Sequence, residues 1–152
     1  LFPYTTLFRS INHDVTGTIC GLRTDTKPEE IYQAILEGMA FQFLLGYEQS
    51  RKIGASIQQL ICTGGGSKSD VTLQMRADIM NVEVSTITAG ESGTLGCMIL
   101  AATGTGAYAS MEEAIGRAVH IRKTFRPNPA RQEYYRKKYE RYKKLYELMH
   151  LF

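Results

Sequence analysis

The chain has 152 residues, 43% hydrophobic and 22% charged, with 14 Gly and 4 Pro. This composition supports one hydrophobic core, is too short for two full domains, and excludes collagen-like repeats, disulfide scaffolds and long disordered tails. The formal net charge of +3 is uneven: residues 122–152 carry ten Lys and Arg against three Glu, and residues 1–121 carry eight basic against twelve acidic side chains.

Residues 1–10 follow neither a helical nor a strand period and are set aside as a sequencing or cloning artefact, and the start at Leu1 reads as a fragment of something longer. Residues 11–25 read as an extended segment and a loop. A capping box, Thr26 with Glu29, then opens a long helix ending at Arg51 and Lys52 before Gly54. Its stripe of Tyr32, Leu36, Met39, Phe43 and Tyr47, widened by Ile31, Ile35 and Leu45, predicts a helix central to the core.

Ile57–Thr63 reads as a short strand running into Gly64-Gly65-Gly66-Ser67-Lys68-Ser69, followed by a helix over about 70–80 and a β-branched strand from Val82 to Thr88. Residues 92–106 form a helix of small residues, and its glycines suggest a backbone pressed against a neighbour or ligand. Ser110 and Glu113 make a second capping box, for a helix through about His120. After Phe125-Arg-Pro127, the residues Tyr135, Tyr139, Tyr142, Tyr146 and Met149 step by four, three, four and three along an amphipathic helix with a basic opposite face. The order of helices and strands implies an α/β layer architecture.

Cys20, Cys62 and Cys97 lie far apart, without a C-x-x-C pair. They suit buried thiols in a reducing compartment better than a metal site. No apolar run of about 18 residues spans a membrane and no basic leader precedes an apolar stretch, so the cytoplasm is the expected location.

The triple-glycine loop carries most of the chemical information. Three glycines let the backbone turn sharply and leave main-chain N–H groups uncovered, and the following helix start favours an anion. A tight strand-to-helix turn explains the loop equally well. The Walker A pattern fails, because Cys62 stands where its first Gly belongs and Ser67 precedes Lys68. The Rossmann pattern fails because Ser69 replaces its third small residue and no acidic residue closes a second strand. Gly104-Thr-Gly106 follows a helix and reads as a C-cap. Asp14-Val-Thr-Gly17-Thr18 has one residue too many for a D-x-G-T phosphate hairpin. His13, His120 and His150 are scattered and form no hydrolytic constellation; His120 at a helix end is read as a dipole partner. Glu91, just before the glycine-rich helix, reads as an N-terminal helix charge, with a site residue as the alternative. On the last helix tyrosines and charges are segregated, which favours docking onto the protein over stacking on nucleic-acid bases.

Four stretches coincide in order: Ile31–Phe41, Ile61–Ser69 leading into Gln74–Ile79, Glu91–Ala102, and the Phe125-Arg-Pro127 tail with its tyrosines. Together they resemble the C-terminal half of the FGGY carbohydrate kinases, most closely the xylulose kinases, over about residues 11–152. The resemblance implies an actin-like, ribonuclease H-like fold, with ATP and sugar held between two such domains. Residues 11–125 would form part of the C-terminal nucleotide-binding domain, with 126–152 a helix packed on it. Gly64, Gly65 and Gly66 would contact the adenosine and α-phosphate region. Ser69 would match a polar position, commonly Asn, that touches the adenine, and Glu91 would lie near the cleft without catalysing.

The family's catalytic Asp, its D-x-G-T loop, its Mg2+-supporting acid and most sugar contacts belong upstream, so no catalytic or metal-ligating residue is assigned here. Phosphoryl transfer needs these parts together, and the chain alone is expected to be inactive. Xylulose is the sugar expected, with ribulose, gluconate, fuculose and glycerol open. A half-protein exposes its former interface, which favours self-association, for example as a homodimer. The alternatives are a non-catalytic nucleotide-binding or assembly module and, less favoured, a basic nucleic-acid-binding fragment.

Overall fold

The computed structural model describes residues 17–148. The readings placed on residues 1–10, His13, the Asp14 hairpin, Met149 and His150 lie outside them. The described residues fall into two compact units, one running to Ser56 and resuming at Ala130, the other Ile57–Pro129.

The first unit pairs two helices, α1 (Pro28–Lys52) and α5 (Pro129–Leu148). Pro28 suits the first helical position, where its missing N–H is no loss. The capping differs from expectation. Thr26 closes the preceding turn, its Oγ1 accepting from the Arg23 N–H at 2.8 Å. A one-sided cap falls one residue later, where the Lys27 N–H donates to the Glu30 carboxylate at 2.8 Å.

The buried face of α1 is also not the predicted stripe. Glu37, Ala40 and Phe41 are buried, whereas Tyr32, Ile35 and Phe43 are exposed by 65%, 47% and 48%. The reason is what α5 offers. Its tyrosine rings meet Phe41, with centroids 5.7 Å away for Tyr139 and 5.5 Å for Tyr142. Their hydroxyls need acceptors when buried. Tyr139 donates to Glu48 at 2.9 Å and Tyr142 to Gln42 at 2.5 Å. Lys138 donates to the buried Glu37 at 2.6 Å, and Gln33 adds a second bond to the same carboxylate at 2.8 Å. The chosen face of α1 is therefore the one carrying acceptors.

The second unit contains β1 (Gln59–Cys62), α2 (Asp70–Met80), β2 (Glu83–Ile87), α3 (Ser92–Gly104), α4 (Met111–Ala118) and β3 (Ile121–Phe125). The sheet order is β1-β2-β3, with β1 and β2 parallel and joined through α2, and β3 antiparallel to β2. Strand β3 is absent from the predicted elements. Its Ile-Arg-Lys-Thr-Phe sequence has no clean alternation and only Phe125 is buried, so it carries little strand signal. Its presence also moves His120 off the helix end, since α4 stops at Ala118 and the His120 carbonyl accepts from the Thr88 N–H at 2.9 Å.

Leu60, Val84 and Phe125 lie in register across the three strands. Val84 and Phe125 form the core with Leu73 and Ala77 of α2, and Leu60 and Cys62 pack against them. A hydrogen-bonded row crosses the sheet beside it, from Gln59 to Ser85 at 2.9 Å and between Ser85 and Thr124 at 2.7 Å. Asp78, also buried, accepts from Gln74 and from the Asn128 N–H, both at 2.8 Å, which ties α2 to the chain leaving β3.

The glycines of α3 have no close neighbour among the described residues. A Cβ added at Gly93, Gly96 or Gly104 meets nothing within 4 Å among the described residues. The expected neighbour is thus not among the described residues, where the α3 glycines face open space. Cys20 and Cys97 are exposed and Cys62 only half-buried, so the cysteines are free thiols but not buried ones. Gly106, at φ +76°, turns the chain after α3 as the C-cap reading anticipates.

Candidate functional site

The end of β1 delivers the glycines to the carboxyl edge of the parallel pair, the usual ligand side of such sheets. Gly64 has φ +72° and ψ −160°, a conformation open essentially to glycine alone. Gly65, Gly66 and Ser67 then form a short 3-10 turn. The Ser67 N–H and hydroxyl both donate to the Gly64 carbonyl, at 3.1 and 2.8 Å, and lock the turn. As its first two residues, Gly65 and Gly66 have amides that no preceding turn can satisfy.

A Cβ at Gly64 or Gly65 would meet nothing within 4 Å among the described residues. The space beside these two residues is open, which fits a ligand approaching the main chain. Gly66 differs: its Cβ would stand 3.5 and 3.7 Å from the guanidinium of Arg76, at ordinary contact distance. Arg76 also donates to the Cys62 sulfur at 3.6 Å, so one side chain links the end of β1 to the loop. In the sequence Arg76 stands only within the helix over about 70–80 and the Gln74–Ile79 stretch, with no role of its own. Its charge in an otherwise uncharged stretch between Asp70 and Asp78 was the signal available.

Ser69 has a structural task of its own. Its hydroxyl accepts from the Thr72 N–H at 3.3 Å and caps α2, an interaction worth roughly 1 kcal/mol. Asp70 follows in the first turn, where a negative charge is favoured. The hydrogen bond from Lys123 at 2.6 Å holds its carboxyl below the usual range, with Arg122 adding to the effect.

The loop after β2 lies beside the glycine loop. Thr63 and Ser92 share a hydrogen bond at 2.9 Å, which joins the end of β1 to the start of α3. Neither residue was singled out by the sequence pattern. Glu91 is the exposed N-cap residue of α3 and makes no side-chain capping bond. Among the described residues no group of three or more His, Cys, Asp or Glu could hold a metal ion, and no helix is long and apolar enough to cross a membrane. On α5, Tyr135 and Tyr139 are buried, so neither is exposed for a base to stack on.

Residues 3–105 match the family model described as the FGGY family of carbohydrate kinases, C-terminal domain. The chain is similar to a ribulokinase of Bacillus licheniformis, 33% identical over 142 residues, which cover 90% of the chain and 26% of the relative. It is 30% identical to a xylulose kinase of Bacillus subtilis over 146 residues, covering 95% of the chain and 29% of the relative. The chain thus spans under a third of the length of these relatives. Among solved structures it resembles a xylulose kinase from Lactobacillus acidophilus, with a TM-score of 0.77, 28% identity and coverage of 87% of the chain and 27% of that structure. A Plasmodium falciparum glycerol kinase with ADP shares the fold, with a TM-score of 0.75 at 23% identity and coverage of 90% and 27%. The fold is therefore α/β, of the actin-like ATPase type.

Proposed function

This chain belongs to the FGGY family of carbohydrate kinases, and on that premise we propose that it is the nucleotide-binding portion of an ATP-dependent sugar kinase. The observation that carries the reading is the Gly64–Gly66 turn, with the Gly65 and Gly66 amides at its start and, among the described residues, open space beside Gly64 and Gly65, at the carboxyl edge of β1 and β2. Main-chain N–H groups of Gly65 and Gly66 would donate to the α-phosphate and ribose side of ATP or ADP. Ser69 would face the adenine as a donor through its O–H, since its oxygen already accepts from the Thr72 N–H and from the Thr72 hydroxyl. The intact protein would transfer the γ-phosphate of ATP to a sugar hydroxyl. The names of the relatives, ribulokinase and xylulose kinase, support a ketopentose, and we favour a xylulose-like sugar.

No residue of this chain is assigned to Mg2+ or to proton abstraction. A kinase needs a base, a metal and a γ-phosphate clamp acting together. We therefore expect residues 1–152 alone to bind nucleotide without phosphorylating sugar. A reducing cytoplasm suits the free cysteines, and self-association as a homodimer remains part of the proposal.

A thermal-shift series with ATP, ADP, xylulose and RNA tests this reading. Bound nucleotide stabilises by mass action, about 2.7 kcal/mol at a hundred times its dissociation constant. Stabilisation by ATP and ADP without sugar phosphorylation is the expected result. A nucleic-acid response without any nucleotide response would reverse the assignment, and turnover by the chain alone would overturn the expected inactivity.

A further inference from the structure

The β1–β2 ladder ends at the pair Cys62 and Thr86, and both strands then leave the sheet at the same edge. From there β1 runs into the glycine loop, and β2 into residues 88–91 ahead of α3. Neither connection is well fixed by its own chain. The first opens at Gly64, with φ +72°, and glycine keeps more backbone freedom than any other residue. The second contains Gly90, where an added Cβ meets nothing within 4 Å among the described residues. The hydroxyls of Thr63 and Ser92, 29 residues apart in sequence, join the two connections at 2.9 Å. Thr63 stands immediately before Gly64, and Ser92 is the first residue of α3. Their bond therefore continues the tie between β1 and β2 past the last ladder pair, at the point where the loop begins to turn. Ser67 closes on the Gly64 carbonyl at 2.8 Å, and Ser69 accepts from the Thr72 N–H at 3.3 Å. Those bonds shape the glycine loop and fasten it to α2, and neither sets its distance from the start of α3.

We propose that Thr63 and Ser92 are positioning residues of this site, their hydrogen bond holding the glycine loop and residues 88–91 at one spacing before a nucleotide arrives. The proposal rests on the nucleotide reading above and assigns the role to two residues outside the glycine run. The gain is preorganisation, since an edge already ordered gives up less conformational freedom when it binds. Both side chains are short, and the branched Cβ of Thr63 restricts its rotamers, so the bond leaves little slack. The pair is exposed. Water replaces a lost partner there, so its removal changes the spacing of the loops more than the stability of the fold.

Calorimetric titration of the 152-residue chain with ADP tests the proposal, using wild type, Thr63→Val, Ser92→Ala and the double variant. Each single change should weaken ADP about three- to tenfold, the scale of one lost hydrogen bond. The double variant should bind no more weakly than either single one, because both remove the same contact. Thr63→Ser keeps the hydroxyl and should restore most of the wild-type affinity. The Gly64 and Gly65 amide resonances of Thr63→Val should broaden in the free chain and sharpen once ADP is bound, with little change in melting temperature. Thr63→Ala takes the place of Thr63→Val should that variant fail to melt cooperatively. Losses that multiply in the double variant would mean that the two hydroxyls act separately, and unchanged ADP affinity in the single variants would mean an idle surface bond. Either result overturns the proposal and leaves the nucleotide reading intact. A wild-type chain that does not bind ADP overturns both.

Discussion

At the scale of single residues, the three glycines are not equivalent. Gly64 is required by its backbone, since any side chain there occupies a region that costs on the order of 1–3 kcal/mol. Gly64→Ala should therefore lower the melting temperature and distort the turn. Gly65 lacks a positive φ and has open surroundings among the described residues, so Gly65→Ala should leave the melting temperature unchanged yet weaken ADP binding by placing a methyl group where we propose the nucleotide sits. Paired melting curves and ADP titrations on the two variants check this. Loss of stability in Gly65→Ala, or full ADP affinity there, would remove the distinction. The glycine run itself was legible in the sequence, but not the division of labour within it, because a string of identical residues hides which one carries the positive φ and which one faces Arg76. Ser69 was legible as a loop polar residue and is also the cap of α2, a role that the Ser69/Thr72 spacing carries without help from any ligand.

Among the elements, the pairing of α1 with α5 has its own energetics. Glu37 is a buried carboxylate, its side chain 5% exposed, that depends on Lys138, whose side chain is 34% exposed. Breaking a fully buried pair costs about 3–5 kcal/mol, and the partial exposure of Lys138 lowers the expectation for Lys138→Met to about 2 kcal/mol. Chemical denaturation of that variant measures it; a loss under half a kilocalorie would place the pair with ordinary surface bridges. The same interface sets an alkaline limit. Burial pushes the Lys138 ammonium down, but its bonds with Glu37 and Tyr134 outweigh this and leave it raised. Burial raises the Tyr139 hydroxyl, helped by Glu48, and pushes Tyr142 up to about 12. All three groups titrate higher when folded, so their stabilisation is complete below pH 10 and declines as pH rises toward the folded values. Melting temperature should hold steady up to about pH 10 and then fall, with tyrosine ionisation tracking unfolding. A flat profile from pH 9 to 12 would exclude that linkage. The tyrosine period announced α5 as a packed helix. The partner face on α1 was hidden because hydrophobic spacing favours Tyr32 and Phe43, whereas the decisive groups are the acceptors Glu37, Gln42 and Glu48. Strand β3 escaped for a related reason: its neighbours in space, Val84 and Asp70, lie about forty to fifty residues away in sequence.

For the whole molecule, the β1–loop–α2–β2 order brings two helix starts and a glycine turn to one edge, and that edge is where we propose the nucleotide binds. The α/β class and the family follow from the order of a few short motifs, each unspecific by itself. The close partners of the site, Thr63 with Ser92 and Arg76 with Cys62, arise only when the chain folds. The most direct test of the central claim is to follow the backbone amide resonances of the chain while adding ADP. Saturable shifts concentrated at Gly64, Gly65 and Gly66 and the start of α2, with little change along α5, are the predicted outcome. A titration that leaves those glycine amides unmoved at saturating ADP, or moves only residues elsewhere, would contradict the account.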